Sequence, residues 1–155
     1  MRVLEALGVK ALKRGLLGFW ALYFTLVFTS NAFDALKAVG LLDAGFRYAS
    51  GNYAMIVAAT AKLAPPAAVN AILFAGVLGW EALAAALFWA SFRRVSHRGS
   101  VETAAFVVSI ALWAAFILAD ELFIAYEGGM EATHVRLFVA QLVTLLAIHL
   151  LPDRT

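Results

Sequence analysis

Cysteine is absent from the 155-residue sequence, and charged residues make up only 14% of it. Without cysteine the chain can form no disulfide, no thiolate metal site and no thiol redox centre, which excludes a quinone-linked disulfide oxidoreductase. The formal net charge of +2 is too small to indicate nucleic-acid binding. Hydrophobic residues account for 64% of the chain, far above the share in a soluble domain. We therefore predict an integral membrane protein.

Residues that carry chemistry are also scarce. The three histidines, His97, His134 and His149, form no Glu-x-x-His or His-x-x-x-His motif, and none lies mid-span to ligate haem. The few serines lie near the ends of apolar runs, and no glycine-rich phosphate loop is present. We expect no enzymatic activity, no bound cofactor and no metal site.

Four apolar runs are each long enough to cross a bilayer, which takes about 20 helical residues. They cover about residues 15–36, 67–92, 101–126 and 134–151. A basic, amphipathic start at 1–14 precedes them. The connection 37–66 contains an apolar stretch at 53–63 that is too short to span. The sequence therefore predicts an all-α fold, a membrane bundle of four transmembrane helices with a short interfacial or re-entrant helix between spans 1 and 2, in one domain over residues 1–155.

Two alternatives concern the first part of the chain. The basic start, the first apolar run and Ser30-Asn31-Ala32 also resemble a signal peptide with a small-residue cleavage site. The length of the run and its bulky aromatic residues favour a retained helix. The connection 37–66 could also be a solvated loop that contains one amphipathic piece.

Basic residues are distributed unequally between the two ends of the predicted bundle. Eight belong to the side of the termini, namely Arg2, Lys10, Lys13, Arg14, Arg93, Arg94, Arg98 and Arg154. Four belong to the other side, namely Lys37, Arg47, Lys62 and Arg136. Cytoplasmic loops carry the excess of lysine and arginine. We therefore expect a multi-pass protein of the inner (plasma) membrane with cytoplasmic N and C termini.

The second span carries a single carboxylate, Glu81, near its middle. At 100° per residue, one helix face combines Glu81 with Asn70, Phe74, Val77, Ala85 and Phe88. The far side is a stripe of small residues that would let another helix approach closely, formed by Ala75, Gly79, Ala86 and Ala90. A charge at the bilayer centre costs about 3 kcal/mol or more, so Glu81 is a candidate for ligand binding, proton handling or partner recognition. The alternative is a hydrogen bond to a neighbouring helix that only fixes packing.

Further polar residues would meet at the outer end of the closed bundle, above Glu81. They are Asn31, Asp34, Asn70, Asp120, Glu121, Glu127, His134 and Arg136. They could form a cation site or part of a proton relay towards Glu81. They could instead pair internally, with Arg136 neutralising Asp120 or Glu121.

Several short motifs lie within or next to the predicted spans. They are N-x-x-D at Asn31 and Asp34, W-E-A-L at 80–83, the pair Asp120 and Glu121, R-L-F at 136–138, and L-P-D at 151–153. In this arrangement the chain resembles the bacterial predicted small integral membrane proteins of domain-of-unknown-function family 2165. The resemblance implies a four-span bacterial inner-membrane protein and brings no activity with it. It suggests Asn31, Asp34, Glu81 and Glu121 as the residues of interest.

Two functions follow from these observations. The first is a non-enzymatic accessory or assembly partner of a larger membrane complex, which would use the small-residue stripe for helix contacts. The second is a transporter-like protein that binds a small ligand, a cation or a proton at an exterior-facing polar site based on Glu81. The lipid bilayer, another membrane protein or further copies of this chain are the expected partners, and nucleic acid is not.

Overall fold

The computed structural model describes residues 2–94, 100–125 and 130–151, and all regular structure in these ranges is helical. The helices are α1 (Arg2–Ala38), α2 (Asn52–Thr60), α3 (Ala67–Arg93), α4 (Ser100–Phe123) and α5 (Met130–Leu150), and a 3-10 turn, Ala61–Leu63, follows α2. Four of them, α1, α3, α4 and α5, are long and apolar enough to cross a membrane. The predicted fold class is confirmed, including the short helix between the first two spans.

The start of the chain differs from the prediction. The predicted amphipathic start and the first span form one uninterrupted helix of 37 residues, α1. No proline precedes residue 65, so nothing in the sequence stops the helix before Ala38. At 1.5 Å per residue, α1 is roughly 55 Å long, which exceeds the ~30 Å hydrocarbon core of a bilayer.

The remaining span boundaries shift by a few residues. Helix α4 ends at Phe123, and α5 begins at Met130, four residues before the predicted start of the fourth span. Residues 95–99, 126–129 and 152–155 lie outside the described ranges. They include His97 and Arg98 of the predicted basic turn, the carboxylate Glu127, and Pro152 and Asp153 of the L-P-D motif.

The long helices pack in the order α1, α3, α4, α5, so α3 contacts both α1 and α4. No extensive contact joins α5 back to α1 within the described ranges. Helix α2 packs against α3, α1 and α4. We call this end of the bundle, where α1 finishes and α3 begins, the α2 end.

An aromatic core fills the half of the bundle that is remote from α2. The rings of Phe24 and Phe88 stack with their centroids 5.8 Å apart, and the edge of Phe106 meets Phe88 at 5.1 Å. All three side chains are fully buried. Aromatic pairs of this kind each contribute about 0.5–1.5 kcal/mol beyond their buried area, so α1, α3 and α4 are firmly joined here.

Hydrogen bonds of polar side chains link each pair of neighbouring helices. Trp89 Nε1 donates to Thr25 Oγ1 at 3.0 Å and joins α3 to α1. Trp80 Nε1 donates to the Val108 carbonyl at 2.8 Å and joins α3 to α4. The hydroxyl of Ser109 donates to the side-chain carbonyl of Gln141 and joins α4 to α5. Such bonds are typical of packing between membrane helices, where few other directional forces act.

The two faces of α3 have different surroundings. The buried face contains Asn70, Phe74, Glu81, Ala84, Ala85, Phe88 and Ser91. On the far side Ala75, Gly79 and Ala86 are exposed and Ala90 is half-buried. A Cβ atom built on Gly79 would meet nothing within 4 Å, so the stripe makes no close contact there with the described chain.

Candidate functional site

A cavity of about 680 Å³ lies at the α2 end of the bundle. All five α-helices contribute to its wall, which consists mostly of apolar and aromatic side chains. Pockets of about 300–1,000 Å³ with such walls are typical of small-molecule sites. Apart from tyrosine and tryptophan, the polar residues in the wall are Ser30, Asn31, Asn52, Thr60, Glu81, Asp120, Thr133 and His134.

Two side-chain amides connect Glu81 to α1 and α2. Asn31 Nδ2 donates to both carboxyl oxygens of Glu81, at 2.7 and 2.9 Å. Asn52 Nδ2 donates to Asn31 Oδ1 at 2.8 Å. A chain of hydrogen bonds therefore runs from the first residue of α2, through α1, to a carboxyl group in α3.

Glu81 lies deep in the bundle. It is the fifteenth of the 27 residues of α3 and is only 2% exposed. In the described chain its side chain has one hydrogen-bond partner, the uncharged amide of Asn31. A carboxylate offers about four lone-pair positions. The two bonds from Asn31 therefore leave acceptor capacity at Glu81 for a further donor.

Asp34 positions α2 and does not line the cavity. Its Oδ2 accepts the backbone N–H of Tyr53 at 2.8 Å and the hydroxyl of Ser50 at 3.3 Å. Gly51, just before the helix, has a φ of +79°, a left-handed conformation that glycine adopts at little cost. A carboxylate also suits the positive end of the helix dipole. Asp34 thus holds the first turn of α2 against the end of α1.

The other end of α2 is attached to α3, and the 3-10 turn that follows α2 is attached to the residue just after α4. The hydroxyl of Thr60 lies 2.9 Å from Asn70 Oδ1, and both residues are buried. In the 3-10 turn, Lys62 Nζ donates to the carbonyl of Ile124 at 3.2 Å. The short helix is therefore fixed at both ends, and Thr60, Asn52 and the apolar residues between them form part of the cavity wall.

Asp120 and His134 form a pair on the α4–α5 side of the cavity. His134 Nδ1 lies 2.7 Å from Asp120 Oδ2. The imidazole ring stacks on Phe116, with centroids 4.9 Å apart, and on Trp113 at 6.1 Å. The internal pairing expected for Asp120 is thus present, but its partner is His134. Arg136 is exposed, because two residues along a helix turn the side chain by about 200°.

The predicted polar residues fall into separate groups. Glu81 and Asn31 are joined directly, Asp34 caps α2, Asn70 contacts Thr60, and Asp120 contacts His134. Glu121 is exposed and does not line the cavity. Asn52 and Thr60 were not foreseen as members of the site. Asn52 is recognisable in the sequence only as a turn residue, and Thr60 lies within an otherwise apolar stretch.

Among the described residues, one buried side-chain nitrogen of the cavity wall has no hydrogen-bond partner. Trp113 lines the cavity, and its indole Nε1 is buried without a hydrogen-bond acceptor among the described residues. In those same ranges, no three histidine or acidic side chains are grouped in a way that could hold a metal ion. A mostly apolar wall with a few polar groups is typical of sites for organic ligands. Comparisons of the chain with protein-family models, with curated proteins and with solved structures find no match.

Proposed function

We propose that this chain is a multi-pass protein of the bacterial inner membrane that binds a small molecule in the cavity at the α2 end. The observation that carries the proposal is the cavity itself, with Glu81 and Asn31 buried in its wall. The bacterial inner membrane is part of this proposal, and its support is the resemblance of the short sequence motifs to family 2165 of the domains of unknown function.

The size of the cavity supports an occupant. A cavity of about 680 Å³ is large enough for a small organic molecule, and because it is open to the surroundings, water, a lipid chain or a ligand fills it. A ligand with a polar group satisfies Glu81, whereas an acyl chain offers the carboxyl group no partner.

The orientation of the site follows from the basic residues. Eight of the twelve lysines and arginines belong to the side of the termini, which is opposite the α2 end. By the positive-inside rule, the termini are cytoplasmic and the α2 end faces the exterior. The ligand then enters from the exterior side, where α2 covers the bundle.

Native mass spectrometry of the protein in mild detergent tests this function. We expect the wild type to retain a small molecule that Ala119→Trp loses, because Ala119 lines the cavity and an indole would occupy part of it. Leu118→Trp is the matched control, since Leu118 is 70% exposed and does not line the cavity. Identical small-molecule retention by wild type and Ala119→Trp, or none by either, would contradict the proposal.

The second candidate is an accessory or assembly partner of a larger membrane complex. It is favoured by the exposure of Ala75, Gly79 and Ala86 on the outer side of α3, where a second helix could pack closely. The same mass measurement separates the two functions. Other protein chains in fixed stoichiometry, lost on substitution of Gly79 and Ala86 by leucine, would support the accessory function, and unchanged assembly would count against it.

A further inference from the structure

The ionisable side chains in the cavity wall are predominantly acidic. Within the described ranges the wall contains Glu81 and Asp120 as acids and His134 as a base, and neither lysine nor arginine lines it. His134 is in contact with Asp120 at 2.7 Å. Among the described residues, the hydrogen-bond partner of Glu81 is the neutral amide of Asn31. Within that part of the chain, Glu81 is therefore the acidic group of the wall that has no basic partner.

Aromatic rings surround much of the same space. Tyr23, Phe74, Trp80, Trp113, Phe116 and Phe123 all line the cavity. The faces of aromatic rings carry negative partial charge and attract organic cations, most strongly where water is excluded. Their area also favours an apolar ligand body. The wall thus combines an acidic group with surfaces that bind cations and hydrocarbon.

We propose that the cavity binds an amphipathic organic cation, an amine or quaternary ammonium with a hydrophobic body, and that Glu81 is its charge partner. This assignment rests on the proposed function and specifies the ligand class. The attraction of opposite charges extends over several ångströms at low dielectric, so the cation need not displace Asn31 from Glu81.

Inorganic cations fit the same wall less well. Calcium takes six to eight oxygen ligands, and magnesium requires a nearly octahedral set. The described residues offer no group of three acidic or histidine side chains for such an ion. An organic cation needs only one carboxylate, and its remaining surface is matched by the aromatic side chains.

Two probes of equal shape and opposite charge test the ligand class on the unmodified protein. Binding of tetraphenylphosphonium and of tetraphenylborate is measured by equilibrium dialysis against protein in lipid nanodiscs, with protein-free nanodiscs as the blank. We expect the phosphonium cation to bind at least tenfold more tightly than the borate anion, a difference of about 1.4 kcal/mol. Equal affinities, or tighter binding of the anion, would overturn the proposal.

Variants then locate the charge that is responsible. Glu81→Gln should weaken binding of the cation at least tenfold, whereas Glu121→Gln, which removes an exposed carboxylate at the same end, should change it less than twofold. An effect of Glu121→Gln as large as that of Glu81→Gln would exclude Glu81 as the specific partner. The folding of each variant is checked by its elution as a single species in detergent.

Binding of the neutral probe tetraphenylmethane shows whether an unexpected result contradicts only the proposed cation ligand or also the proposed small-molecule site. If it binds, and Ala119→Trp prevents this while the cation shows no preference, the cavity is a small-molecule site and the cation proposal is wrong. If no probe binds and Ala119→Trp has no effect, both proposals are wrong. Preferential cation binding that Ala119→Trp abolishes supports both.

Discussion

Replacement of Asn31 by alanine tests the hydrogen-bond chain that builds the site. Asn31 is 1% exposed. Its side-chain amide donates hydrogen bonds to the carboxyl group of Glu81 and accepts one from the side-chain amide of Asn52. Hydrogen bonds between membrane helices contribute about 0.6 kcal/mol on average and up to about 1.7 kcal/mol. Leaving a buried partner unsatisfied costs about 1–3 kcal/mol. With both partners lost, we expect Asn31→Ala to lower the free energy of unfolding by about 2 kcal/mol.

Unfolding by titration with sodium dodecyl sulfate in mixed micelles, followed by tryptophan fluorescence, measures this change. Ser30→Ala is the matched control, because the Ser30 hydroxyl donates only to the Val27 carbonyl of its own helix, at 3.0 Å. We expect this control to change stability by less than about 0.5 kcal/mol, as for most substitutions away from buried networks.

A double-mutant cycle isolates the Asn31–Glu81 contact. In a Glu81→Ala background, Asn31→Ala should cost about 1 kcal/mol less than in the wild type, because the partner has already been removed. If Asn31→Ala destabilises the protein no more than Ser30→Ala, or if the cycle shows no coupling, the hydrogen-bond chain does not hold the α2 end together.

Two further predictions concern the packing around the site. Asp34→Ala removes the cap of α2, which should cost about 1 kcal/mol locally, and amide hydrogen exchange should accelerate in residues 52–60 but not in α3. Unchanged exchange in α2 would refute the capping role. Phe88→Ala should lower the free energy of unfolding by about 3–5 kcal/mol, because its ring is fully buried between two others. Phe19→Ala, at a ring that is 59% exposed, should lower it by less than half as much; equal losses would contradict the packing.

The sequence predicts the helices and the buried face of α3 because both depend on local regularities. Apolar length determines which segments can span, and the 3.6-residue period determines which side chains share a face. Asn70, Phe74 and Glu81 accordingly lie on one buried side, and Gly79 lies on the exposed side.

The partners of the polar groups could not be predicted in the same way. Asn31 and Glu81 are 50 residues apart, and their contact depends on how α1 is rotated against α3. Charge alone favours Arg136 as the partner of Asp120, but the rotation of α5 brings His134 to it. These orientations result from the packing of all helices together, which short motifs do not encode.

The cavity could not be predicted from the sequence for a related reason. Its volume depends on the distances between the helices and on the position of α2. Wall residues such as Ala119 and Trp113 are of types that are common in any membrane span. Only the buried carboxylate signals a site in advance, since an acidic side chain at this depth is costly to retain.

Cysteine accessibility in the native membrane tests the cavity most directly, because the chain contains no cysteine of its own. Ala119 lines the cavity, whereas its neighbour Leu118 is 70% exposed on the outer surface, where lipid would cover it. A small water-soluble thiol reagent added from the exterior should modify Ala119→Cys and leave Leu118→Cys unmodified, since reaction requires a hydrated thiolate. If both positions are equally unreactive, or if Leu118→Cys reacts faster, the α2 end holds no accessible cavity and the proposed binding site is wrong.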